Sequence, residues 1–98
     1  MNATVASNIT TTTNGSYVAL QPVGKTDPVV VEITGKVVGT SATIQVQESA
    51  DASSFSTVST LTYTTAGLIS VQHVARKPYL RLNVSAISSA AVDAEVSF

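Results

Sequence analysis

The sequence predicts an all-β protein: a single β-sandwich of about seven to eight short antiparallel strands, immunoglobulin-like or jelly-roll, with an extended N-terminal arm. Three observations carry this. Val, Thr, Ser, Ala and Ile dominate, and these are largely strand and turn residues. Segment after segment alternates apolar and polar with period two, and none sustains an apolar stripe at helical spacing. Turn signals separate those segments at short, regular intervals. Only a two-layer or closed arrangement lets so many one-faced strands bury their apolar sides. Strand count does not give strand order, so the topology stays open between the two alternatives.

Taken in chain order, residues 1–15 stand apart. Around "TTTTNG" they are polar, uncharged and β-branched, which suits an N-terminal arm, an edge strand or a strand donated to a neighbouring subunit. The sandwich domain is expected over 16–98. "SYVALQPV" is a short strand candidate. "PVVVEITG" places Val29, Val31 and Ile33 on one face, with Val30, Glu32 and Thr34 on the other. "ATIQVQES" turns Ile44 and Val46 inward and Thr43, Gln45 and Gln47 outward. "FSTVSTLTYT" alternates less regularly. "GLISVQHV" sets Ile69, Val71 and His73 on one side. "YLRLNVS" turns Leu80, Leu82 and Val84 inward and Tyr79, Arg81 and Asn83 outward. In the last segment Val92, Ala94, Val96 and Phe98 alternate with Asp93, Glu95 and Ser97, so its alanines do not make it a helix. Turns are expected at 14–16, 22–28, 38–41, 49–54, 65–67 and 76–78, where Gly, Pro, Asn, Asp and Ser cluster.

Composition narrows the function. At 98 residues the chain is one small domain with a thin stability margin. It has no cysteine, so disulfides, thiolate zinc sites and cysteine nucleophiles are excluded. One histidine, His73, cannot build a histidine-rich metal centre. Self-association or a partner surface is the remaining route to extra stability. Charged residues make up only 11% and the net charge is −1, which does not supply the basic face that nucleic-acid binding needs. With a mean hydropathy of +0.30, the surface must be polar through Ser, Thr, Asn and Gln, and such a surface is weakly protected against association. No stretch approaches a membrane span. The residues after Met1 lack a basic start and an apolar core of signal-peptide length, so synthesis and residence in the cytosol are expected, unless the protein leaves as part of something larger. The sequons at Asn2, Asn8, Asn14 and Asn83 are what a Ser/Thr-rich chain produces by chance.

Three of the five basic residues, Arg76, Lys77 and Arg81, fall within six positions. Pro78 cannot donate to a ladder and marks the start of a strand, which leaves Arg76 and Lys77 in the preceding turn. Arg81 then points toward solvent or a partner. A protein contact suits this corner better than a specific anion, because arginine is common among interface anchors. Tyr79 fits either a tyrosine that pins a crossover or an exposed interface aromatic. His73 on a strand pattern reads as a hydrogen-bonded sheet residue. Asp93 and Glu95 are ordinary neighbours on an exposed strand face. Glu48 and Asp51 are too few for a calcium loop. No phosphate-binding glycine loop or catalytic constellation is marked, so no enzyme, cofactor or metal site is expected.

Residues 42–86 read "ATIQVQESADASSFSTVSTLTYTTAGLISVQHVARKPYLRLNVSA". This stretch resembles small structural proteins of tailed bacteriophages. Its marks are the strand from Gln45 to Ser49, the Asp51 turn, Phe55, the strand from Val58 to Leu61, Gly67, and the Arg76 to Leu82 segment. Where that pattern often has Gly then Trp after the Asp, this chain has "ADASSF". The resemblance implies a non-enzymatic virion protein, most directly a capsid decoration (cement) protein made in the host cytoplasm and carried on the capsid surface. It implies binding to the major capsid protein and a homo-oligomer, a trimer above others. It also implies Phe55 as a core anchor. The expected partner-binding residues are Thr10, Thr11, Thr12 and Thr13 of the arm and Arg76, Lys77 and Arg81 of the basic corner. A tail, neck or fibre component of the same virion, or a carbohydrate-binding or adhesion module, are the alternatives. The last would want aromatic platforms, and the chain has no tryptophan and three tyrosines, Tyr17, Tyr63 and Tyr79.

Overall fold

The computed structural model describes residues 2–22 and 27–98, so the middle of the turn expected at 22–28 lies outside the described residues. Seven strands form one antiparallel sheet, and the described residues contain no helix. The strands are β1 (Asn2–Ile9), β2 (Thr13–Asn14), β3 (Val18–Ala19), β4 (Val29–Ser49), β5 (Ser56–Tyr63), β6 (Gly67–Ala75) and β7 (Tyr79–Ser97). The all-β class follows from the period-two alternation. The strand order is β1-β7-β4-β5, with β2 and β3 also on β7 and β6 also on β4.

Two strands are not short. β4 has 21 residues and β7 has 19. The segment 38–41 does not end a strand, and the two segments expected to be separate late strands are both part of β7. The reason is non-local: β4 and β7 pair from Glu32↔Ser97 through to Ser49↔Tyr79, so backbone groups on either side of the glycine keep ladder partners.

A straight strand of that length would span about 70 Å. The longest dimension of the molecule is 39 Å. The central strands therefore turn back, and the sheet folds in two. Gly39 sits at the corner with φ +124°, and Ser89, beside its partner Ala90, has φ +46°. A side chain at Gly39 would strike the backbone of Ser89 and Ala90, so the close approach requires glycine. The buried positions also switch parity here, from Val31, Ile33 and Val37 to Ala42, Ile44 and Val46. Each switch keeps the apolar side chains on the inside of the fold.

One half-sheet holds β1, the end of β7, the start of β4, and β6. The other holds β2, β3, the start of β7, the end of β4, and β5. The two halves share a single core that includes Ile33, Val37, Val92 and Val96 from the first, and Ile44, Val46, Leu80, Leu82 and Val84 from the second. Each such side chain contributes about 1.5–3 kcal/mol on burial. Residues 2–9 form an edge strand whose Val5 and Ala6 are buried in this core. The following chain crosses close by: a Cβ on Gly15 would collide with the Val5 carbonyl.

Candidate functional site

The outer face of the second half-sheet gathers three of the chain's five aromatic side chains and a network of hydrogen-bonded polar ones. Arg81 on β7 lies between the buried Leu80 and Leu82, so alternation sends its side chain outward. Register sets it opposite Gln47 of β4, which lies opposite Thr57 of β5 on its other side. The Arg81 Nε donates to Gln47 Oε1 at 2.8 Å. Gln47 Nε2 donates to Thr57 Oγ1 at 3.1 Å and lies 3.4 Å from Gln45 Oε1. The Arg81 guanidinium carbon sits 4.0 Å from the centre of the Phe55 ring, a cation–π contact. Tyr17 meets Tyr79 edge-on at 5.5 Å and lies 6.2 Å from Phe55. Tyr17 remains 54% exposed, so the cluster offers aromatic surface to a visitor. Farther along, Asn83 Nδ2 donates to Asn14 Oδ1 at 2.5 Å.

A tight loop places Phe55. Asp51 Oδ1 accepts from the Ser53 N–H at 2.9 Å, the Ser54 N–H at 3.0 Å and the Ser49 hydroxyl at 2.9 Å. Bonds from the Ser54 and Ser53 amides, then from Ser49, stabilise the carboxylate and hold its pKa down to about 2. Ala52 takes φ +62°, the left-handed conformation that closes the turn.

A second carboxylate ties the two halves together. Glu48 is buried on the inner face, and its Oε1 accepts from the Arg76 N–H at 2.9 Å and the Lys77 N–H at 3.0 Å. Its Oε2 lies 2.6 Å from His73 Nε2. His73 pairs with Val31 near the start of β4, while Glu48 is near that strand's end. His73 is thus a hydrogen-bonded sheet residue. Glu48 and Asp51 turn to different partners, and the described residues contain no cluster of three or more His, Cys, Asp or Glu side chains placed for a metal.

Thr10, Thr11 and Thr12 make the exposed turn after β1, and Thr13 opens β2 opposite Val84. Arg76 and Lys77 occupy the β6–β7 turn, which leads into Tyr79, and neither forms an ion pair among the described residues. The expected residues thus flank the 79–84 stretch of β7 at both ends, with Arg81 inside it. Phe55 is not a core anchor: it lies half-buried on the outer face beneath Arg81, outside the buried cluster. Tyr17, Gln47 and Phe55 were not expected in this role. Only the register that sets Arg81 opposite Gln47 could have revealed them. No family model, curated protein or solved structure matches the chain.

Proposed function

We propose that the chain is a non-enzymatic virion structural protein, a capsid decoration or cement protein that binds the major capsid protein and bridges neighbouring shell subunits. The supporting observation is the outer face built on Arg81, Phe55, Tyr79 and Tyr17. Tyrosine, phenylalanine and arginine are the side chains that anchor protein interfaces. Here their partners already hold them, with Gln47 bonded to Arg81 and the Asp51 loop under Phe55, so docking would freeze few rotors. The exposed Thr10 to Thr13 segment and the Arg76–Lys77 turn would extend the contact at its two ends. The virion setting rests on the resemblance of residues 42–86, whose marks Gln47, Phe55, Tyr79 and Arg81 meet on this face. In this reading the protein is made in the host cytoplasm, acts on the capsid surface as a homo-oligomer, and reinforces the shell mechanically.

The copy number of the chain in purified particles, measured by mass spectrometry against the main shell protein, tests this. A ratio within a few-fold of one supports a shell-wide role. A handful of copies moves the protein to the tail, neck or fibre, and absence removes the virion reading. The Tyr17–Tyr79–Phe55 cluster gives one specific argument for a second reading, a carbohydrate-binding module, since aromatic rings are what sugars stack on. Specific binding on a glycan array that is lost in Tyr17→Ala would favour it.

A further inference from the structure

The two long edges of the first half-sheet differ. β1 is interrupted by two register shifts, after Thr4 and after Ala6, and bulges of this kind discourage further pairing. β6 pairs with β4 from Val29↔Ala75 to Val37↔Gly67 without a shift, and no other strand among the described residues pairs with its far side. Its sequence, "GLISVQHVA", holds no Lys, Arg, Asp, Glu or Pro, the residues that natural edges use against pairing. Its outward side chains are Leu68, Ser70, Gln72 and Val74, and Leu68 is 80% exposed. Along the second half-sheet, β5 is broken by a shift opposite Val46 and Gln47.

We infer that β6 is a homodimer edge: two copies of this chain join their β6 strands antiparallel about a two-fold axis through Val71, making one continuous sheet. The pattern is self-complementary in this register. Leu68 falls opposite the second copy's Val74, and Ser70 opposite its Gln72. On the outward face apolar meets apolar and polar meets polar, twice over by symmetry, while Ile69 falls opposite the second copy's His73 on the inner face. The strand has no Lys, Arg, Asp or Glu, and His73 faces Ile69, so no like charges face each other. Val30, 63% exposed and paired with Val74 in β4, extends the apolar patch. Moving the axis by one residue sets Leu68 opposite Gln72 or Arg76. A half-step would pair inner with outer faces, which the buried Ile69 forbids. This two-fold pairing goes beyond the virion reading and replaces the trimer that the resemblance implies.

The test is sedimentation of the full chain over a micromolar to millimolar series, with amide exchange of β6 followed over the same series. A concentration-dependent dimer is expected, with β6 amides protected as it forms. Leu68→Glu, which lies beside Lys36, and Val74→Lys, which lies beside Val30, should each weaken the dimer at least about tenfold while circular dichroism stays native. The double variant Leu68→Glu/Val74→Lys sets opposite charges across the axis and should recover most of that loss. A monomer throughout, a trimer indifferent to Leu68→Glu, β6 exchange independent of concentration, or a double variant no tighter than the singles would each overturn the proposal.

Discussion

The two half-sheets share a core but treat their outer faces differently. On the second, Gln45, Gln47, Thr57 and Arg81 hold one another, and Phe55 lies under the guanidinium. On the first, among the described residues, the side-chain hydrogen bond is that from the Asn8 N–H to Asp93 Oδ1, and Val30, Leu68 and Val74 stand exposed. Alternation along a strand decides only which residues point out. Whether those residues form an ordered surface depends on which strands register brings beside them. One sheet thus presents a preorganised face and an open one; in our proposals a foreign partner docks on the first, while a second copy joins at the β6 edge that borders the other.

The largest expected effect comes from removing the tie between the halves. Glu48→Ala leaves two backbone N–H groups and His73 without their acceptor in a buried site, and should cost about 3 kcal/mol in denaturant unfolding. Glu48→Gln keeps an acceptor for the turn and should cost less. If both variants unfold like the parent, the halves are held by the core alone.

Next in size is the ordered face itself. Arg81→Ala removes a hydrogen bond and the ring contact, and should cost about 1 kcal/mol. Amide exchange should quicken in the loop around Phe55 and stay unchanged in β6. Arg81→Lys should recover little, since an ammonium reproduces neither the planar stack nor the Nε donor. Equal quickening in both halves would erase the distinction drawn above.

The smallest effect concerns acid. Asp51 titrates at about 2 in the folded chain against an ordinary 3.8, so the folded state favours the charged form. Its contribution is complete above the unfolded value and is lost as pH falls through about 2. The group is solvent-exposed, so the change should be local: the loop at 50–55 should loosen between pH 4 and pH 2 in amide exchange, and Asp51→Asn should remove that dependence.

Much of the fold was legible. Period two set Val29, Val31 and Ile33 on one face and turned Ile44, Val46, Leu80, Leu82, Val84, Val92, Ala94, Val96 and Phe98 inward; all are buried except Val29 and Phe98, which are partly buried against the core. The turns expected at 49–54, 65–67 and 76–78 separate β4, β5, β6 and β7. The turn expected at 38–41 became a bend inside β4, because glycine and serine license a change of direction but do not decide whether the ladder continues beyond it. The candidate face was legible only as the outward direction of Gln45, Gln47, Tyr79, Arg81 and Asn83. The contact of Arg81 with Gln47 spans 34 residues, and Glu48 reaches partners 25 to 29 residues away, distances over which local patterns carry no information.

The pairing of β1 has a consequence for how the chain is made. Its ladder partner is the far end of β7, with Asn2 opposite Ser97. β1 leaves the ribosome well before β7 and must wait for it before its backbone is satisfied. Closing so long a loop is an entropically slow step, so this pairing should form late, in milliseconds to seconds. Until then a β-branched strand with Val5 and Ile9 is open to any other strand it meets. Yield during expression should thus respond to temperature and to synthesis rate more than the stability of the finished protein would suggest.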